Sequence, residues 1–235
     1  MTAIGKSLAL GFGQLFDGAV LRILLKSLAV TIVVFLIVAT GAWYLLDWAL
    51  ASGGMDDAAF TGAGAIRETL SFIMALIGLW LVWRVVAMAV VQFFAEDVVI
   101  AVERKHYPQE ASMARELGMG EQARGALRGA GRAILFNLIA APIAIVLLFT
   151  GVGTFAVFWF VNALLVGREL QDMVWLRHRQ GASEIAPLKR GQRFMLGGVI
   201  AGLLAIPFAN LLAPVLGAAS ATHLVHRTRK AQRTT

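Results

Sequence analysis

The chain has 235 residues, 59% of them hydrophobic and 15% charged, with a mean hydropathy of +0.75. A soluble domain usually carries about 25% charged residues, and too few polar groups remain here to cover so apolar a core, so lipid is the expected solvent for much of the surface. The absence of cysteine excludes disulfides, thiolate metal sites and thiol nucleophiles, and the net charge of +7 reads as Lys and Arg held at an anionic membrane face, with no nucleic-acid partner expected.

In chain order, Met1 to Gln14 has no clean apolar run ending in a small-residue cleavage site. Residues 1–22 therefore read as an interfacial segment and not as a signal peptide. Ile23 to Leu46 is the first long apolar run. At 1.5 Å per residue it reaches roughly 36 Å, enough to span a bilayer. Trp43, Tyr44 and Trp48 gather at its far end, as in an interfacial aromatic belt.

A loop rich in Gly, Ala and acid follows, and a second run extends from Leu70 to Phe94. It carries one charge, Arg84, flanked by Trp80 and Trp83. The helix is expected to continue in amphipathic form through Glu96, Asp97 and Glu103 until Tyr107-Pro108 stops it. Residues 23–107 thus read as one long helical hairpin.

Segment 108–132 is basic, and Arg124, Arg128 and Arg132 recur on one helical face. Later apolar runs are shorter. Ala133–Phe149 and Thr154–Val166 are joined at Gly151-Val152-Gly153, which reads as a tight helical turn and is too short for a phosphate loop. Leu196–Ile206 and Leu211–Val225 meet around Pro207, Asn210 and Pro214. A full crossing needs about 20 residues. The pairs 133–167 and 196–226 therefore read as two short, half-penetrating hairpins, linked by a basic connector, 168–195, and followed by a basic tail, 227–235. The alternative is that their helices extend beyond the apolar runs as amphipathic spans. The expected fold is an all-α integral membrane protein of one membrane domain: two long transmembrane helices plus two short helical hairpins. Charge bias places the N-terminus, the basic segments and the C-terminus inside, with both hairpin tips pointing outward.

Among residues that can carry chemistry, Arg22 stands first. It lies near the start of the first span, where Asp17-Gly18-Ala19 can begin a helix and offer amides to an anion. Lys26 is one turn further on. The plain alternative for both is an interfacial anchor that snorkels to headgroups. Arg84, inside a long apolar run, needs a partner such as Glu169 or Asp172, in a structural ion pair or an ion pathway. Asn137, Asn162 and Asn210 read as interhelical hydrogen-bonding positions more than as a substrate site. Glu96 and Asp97 suit a polar helix end, or proton coupling. His223 and His226 can share a helical face but are too few for a metal, so neither metal nor cofactor is expected. No catalytic set stands out in local sequence, and an enzyme is not expected.

Five segments carry a resemblance that spans nearly the whole chain: Leu21-Arg22; Phe93-Phe94-Ala95-Glu96-Asp97; Thr150-Gly151-Val152-Gly153 followed by Trp159-Phe160; Gly167-Arg168-Glu169-Leu170-Gln171-Asp172; and Ile206-Pro207 through Asn210 and Pro214 to Ala218. In these the chain resembles the CysZ-type sulfate permeases, the bacterial branch of a family that includes the eukaryotic etoposide-induced membrane proteins. The resemblance implies sulfate or related anion uptake across the bacterial inner membrane by a homo-oligomer. It also implies an anion motif of glycine, an apolar residue and two arginines. Here that motif reads Ala19-Val20-Leu21-Arg22, with Gly18 adjacent, so Gly18, Ala19, Leu21, Arg22 and Lys26 are the candidate anion site. A scaffold or regulatory protein of the same family, without transport, is the alternative reading.

Overall fold

The structure is a computed structural model that describes residues 3–52, 78–80, 82–83, 86–87, 90, 94–181, 184–206 and 209–233. Among them no strand occurs. The helices are α1 (Ala3–Gln14), α2 (Gly18–Ser52), α3 (94–106), α4 (Pro108–Met113), α5 (Met119–Val146), α6 (Val152–Trp175), α7 (Arg190–Leu204) and α8 (Ala209–Arg233). Two compact units are distinguished: Met1–Ile23 with Phe94–Thr235, and Leu24–Phe93.

Within the unit Leu24–Phe93, most of the second expected span, including Arg84, lies outside the described residues. On α2 the hydroxyls of Ser27 and Thr31 donate back to the carbonyls of Leu24 and Ser27, at 2.8 and 2.7 Å. This satisfies both hydroxyls inside the helix that carries them. Phe35 and Trp83 meet edge to face at 5.3 Å.

In the other unit, α1 buries Ile4, Ser7, Gly11 and Gln14. Their spacing of three and four defines one face, and that face packs on α8. The contact is tight at Gly11, where a Cβ would lie 2.1 Å from Ser220 Oγ. Sequence reading saw only an interfacial segment here, because the helix is short and its contact face includes Gly and Ser.

The pair α5–α6 is longer than its apolar runs suggested. Gly118 precedes a continuous helix from Met119 to Val146, so the basic residues Arg124, Arg128 and Arg132 and the apolar run after them belong to one rod. A short 3-10 turn, Leu147–Thr150, follows. Gly151 then adopts φ +67, a left-handed conformation that favours glycine. Thr150 Oγ1 accepts from the Gly153 amide at 2.9 Å, and Thr154 Oγ1 donates across the turn to Ala144 O at 2.9 Å. By length and composition, Gly18–Gly41, Met119–Thr150 and Val152–Trp175 are each able to cross a membrane. The first hairpin is therefore built from crossing-length helices, and the expectation of a short one is corrected. The cause is the polar first half of α5 and last turns of α6, which extend both helices past their apolar runs. The alternative of amphipathic extension describes this pair.

Helix α7 is shorter, at 15 residues, about 22 Å. It crosses α6 at very small separation. A Cβ on Gly167 would lie 2.0 Å from Arg193 O, and one on Gly197 would lie 2.1 Å from Ala163 O. Trp159 Nε1 donates to Gly198 O at 3.0 Å. Small residues that let backbones approach are how helices gain packing energy where lipid removes the hydrophobic drive. Helix α8 buries nearly every residue from Ala213 to His226.

Asn137 and Asn162 were expected to bond between helices. Both instead donate to their own helix, to Ala133 O and Phe158 O, each at 2.8 Å, and both are exposed. An amide side chain reaches the carbonyl four residues back more readily than a neighbouring rod. Asn210 is half-buried at the start of α8, and its backbone N–H donates to Ile206 O at 3.0 Å.

Candidate functional site

Two groups of polar residues in the unit Met1–Ile23 with Phe94–Thr235 bear on function. The first is the head of α2. The helix does begin at Gly18, after Asp17. Asp17 Oδ1 accepts from the Ala19 amide at 3.0 Å, and Leu21 N donates to Asp17 O at 2.7 Å. Asp17 thus caps the helix itself, and the Ala19 amide expected to meet an anion is already engaged. The carboxylate also pairs with Lys105. The Lys105 ammonium and the Ala19 and Val20 amides hold the Asp17 carboxyl below its ordinary range.

One turn on, Arg22 is exposed, and its Nε donates to Gly18 O at 3.1 Å. Gly18 and Leu21 are exposed beside it, while Val20 is buried and pins the turn. Lys26 is exposed in the unit Leu24–Phe93. Glu96 and Asp97 are exposed on α3, away from its buried Ala95, Val98, Val99 and Val102 stripe. Asp172, considered as a partner for Arg84, lies 3.6 Å from Arg168 and 3.9 Å from Arg132.

The second group was not foreseen. All four histidines of the chain converge with Glu103, Tyr107 and Arg177. Glu103 is fully buried on α3. His178 Nε2 and His226 Nε2 donate to its Oε1 at 2.7 and 3.0 Å, and Arg177 Nη1 lies 3.6 Å from its Oε2. Tyr107 Oη and His223 Nδ1 are 2.9 Å apart, and Gln14 Nε2 meets His106 Nε2 at 2.9 Å. Burial by itself would raise the Glu103 carboxyl. The two histidine hydrogen bonds and the charges of His178 and Arg177 outweigh it and hold it down at about 2. A charge so deep in a low-dielectric interior survives only when paired in this way.

Glu103, His178 and His226 each present one ligand atom, all within 4.8 Å of one another. That donor set can take a metal, although the Arg177 guanidinium is a fixed positive charge at the same carboxylate and competes with a cation. Sequence separation hid the group: Glu103 and His226 are 123 positions apart. One signal was available. Glu103 stands four residues after Val99, on the face of α3 that turns inward.

Beside this buried group is a cavity of about 500 Å³, whose lining includes Arg115, Arg177, His178, Arg179, Arg229 and Arg233. Arg115 is fixed by a bidentate pair with Glu121 at 2.7 and 2.9 Å, and its amide donates to Arg177 O at 2.9 Å. Arg229 stacks over the Trp175 ring at 5.1 Å.

A family model described as Sulfate transporter CysZ/Etoposide-induced protein 2.4 matches residues 7–214. The chain belongs to this family. Comparisons with curated proteins and with solved structures give no match. The family match runs from α1 to α8, so it covers both the head of α2 and the buried Glu103 on α3. Family membership and three helices of crossing length among the described residues together describe a membrane protein of sulfate-transporter type.

Proposed function

We propose that the chain is a permease for sulfate or a closely related small anion, working as a homo-oligomer in the bacterial inner membrane. The N-terminus, the basic segments and the C-terminal tail lie on the cytoplasmic side. The observation that carries this reading is the family match across residues 7–214. The local geometry supports it at Arg22, an exposed guanidinium one turn into the 35-residue apolar helix α2, at its positive dipole end. Arginine there offers forked donors to a tetrahedral oxyanion, while Gly18 and Leu21 leave the approach uncrowded. The Asp17 carboxylate, neutralised by Lys105, sits close by and keeps the net attraction modest, which suits passage more than capture.

The test is uptake of labelled sulfate into proteoliposomes. Uptake above empty vesicles is expected. Its absence, with and without a proton gradient, would count against transport.

A scaffold or regulatory role without transport is the second reading. It is favoured by Leu21, which stands where the family motif has an arginine, and by Arg124 and Arg128, both exposed on α5. A stable partner that co-purifies, and is lost when Arg124, Arg128 and Arg132 are reversed in charge, would support it.

A further inference from the structure

Among the described residues, those lining the cavity beside the buried group are mostly polar or charged, with Met113 the only large apolar one. Its arginines are held in place by too few carboxylates. Glu121 is shared by Arg115 and, at 3.7 Å, Arg179. Glu110 is shared by Arg229 at 3.4 Å and Arg233 at 3.1 Å. Arg177 faces Glu103, whose other oxygen is taken by His178 and His226. Among the described residues the lining holds five guanidiniums and two carboxylates, Glu110 and Glu121; Glu103 behind Arg177, and Glu184, whose Oε2 accepts from the Gln180 amide at 2.8 Å, reduce the positive excess without cancelling it.

The excess is pre-organised. Glu110 engages Arg229 and Arg233 through Nη1 in each case. A guanidinium carries five donors in a rigid fork, so these contacts fix the forks without using all of them. Stacking on Trp175 adds a second restraint to Arg229. Arg229 then has little side-chain freedom left to lose when an anion enters.

We propose that this cavity is a second oxyanion site, distinct from Arg22, that binds a tetrahedral dianionic group of the sulfate or phosphate class between Arg179, Arg229 and Arg233. An anionic group meets the positive excess. The tetrahedral face matches forked arginines better than a lone halide does. A volume of about 500 Å³ also accommodates the group when it is carried as an ester on a small organic molecule or a lipid headgroup. The inference does not depend on Arg22 binding anything.

The experiment measures binding to the purified full chain. Sodium sulfate and sodium phosphate are titrated calorimetrically into protein in detergent. The same titrations are run in phosphatidylcholine nanodiscs with and without phosphatidic acid. Wild type should bind saturably. The double variant Arg229→Gln/Arg233→Gln should bind about tenfold to a hundredfold more weakly, the usual cost of losing charge-assisted hydrogen bonds. Arg179→Gln changes a half-buried side chain outside the helices and guards against a helix-folding defect. It should weaken binding about severalfold, with an unchanged melting profile. In an Arg22→Ala background, where any anion at the head of α2 is lost, saturable binding should remain and should still fall in Arg229→Gln/Arg233→Gln, which separates the cavity from the transport reading. Displacement of the inorganic anions by phosphatidic acid assigns the site to a headgroup, and no displacement assigns it to a free anion. Either supports the tetrahedral dianion. Equal binding by wild type and the arginine variants, binding lost only in Arg22→Ala, or no binding of any of these probes would overturn the proposal.

Discussion

The head of α2 and the Glu103 cluster handle charge in opposite ways. At the head of α2, Arg22 is exposed, bonded to its own helix, and close to a carboxylate already paired with Lys105. Little structure depends on that guanidinium, so it is available for an external anion. Around Glu103, every charge is buried among histidines and an arginine drawn from three separated stretches of chain. There the charges hold α3, the end of α6 and α8 together, and substitution breaks the fold before it changes any ligand. The contrast predicts that substitutions at the two places separate cleanly: stability at one, transport at the other.

The largest effect is expected at Glu103. Glu103→Ala leaves Arg177 buried beside two histidines that have lost their acceptor, and removing one partner of a buried pair typically costs about 3–5 kcal/mol. Thermal unfolding in detergent should fall well below wild type. A melt within a degree or two of wild type would mean that the cluster does not hold these helices.

Acid should act on the same group. The Glu103 carboxyl is held down at about 2, from an ordinary value of 4.5. Its contribution is therefore full above about pH 4.5 and is lost as the pH falls towards 2. Wild type should lose thermal stability across that window, and Glu103→Gln should lose less. Parallel pH profiles for the two would argue against the assignment.

A smaller loss is expected where α6 and α7 cross. Gly197→Ala drives a methyl to 2.1 Å from Ala163 O, which is rigid backbone, and overpacking of this kind costs about 1–3 kcal/mol. The same substitution at Gly129 on α5, where nothing lies within 4 Å, should leave the melt unchanged or slightly raised. Equal effects at both would show that the crossing is looser than described. Least affected should be Lys105→Ala, which removes a half-exposed partner of Asp17 and should cost under about 1 kcal/mol.

How far sequence could reach follows from these particulars. The apolar run after Ile23 announced α2 because a long span is a local property. The turn at Gly151 was equally local, since glycines between two apolar runs signal a break. The length of α5 was hidden because its first half is basic and looks like a surface segment, although Arg124, Arg128 and Arg132 already carried the helical period. At the α2 head the residues were legible, but the engagement of Asp17 by its own Ala19 amide and by Lys105, 88 positions away, depends on the folded backbone. The Glu103 group was illegible for a different reason: residues 103, 178 and 226 share no local pattern, and only the packing of α3 and α8 brings them together. The cavity arginines came from segments read as solvated basic connectors, where composition shows charge but not convergence.

Labelled sulfate uptake into proteoliposomes, wild type against Arg22→Ala, tests the central claim most directly. The account predicts uptake by wild type above empty vesicles, and a fall of about tenfold or more in Arg22→Ala, as expected from losing charge-assisted hydrogen bonds to the anion, with an unchanged melting profile. Undiminished uptake by Arg22→Ala, or none by wild type, would contradict it.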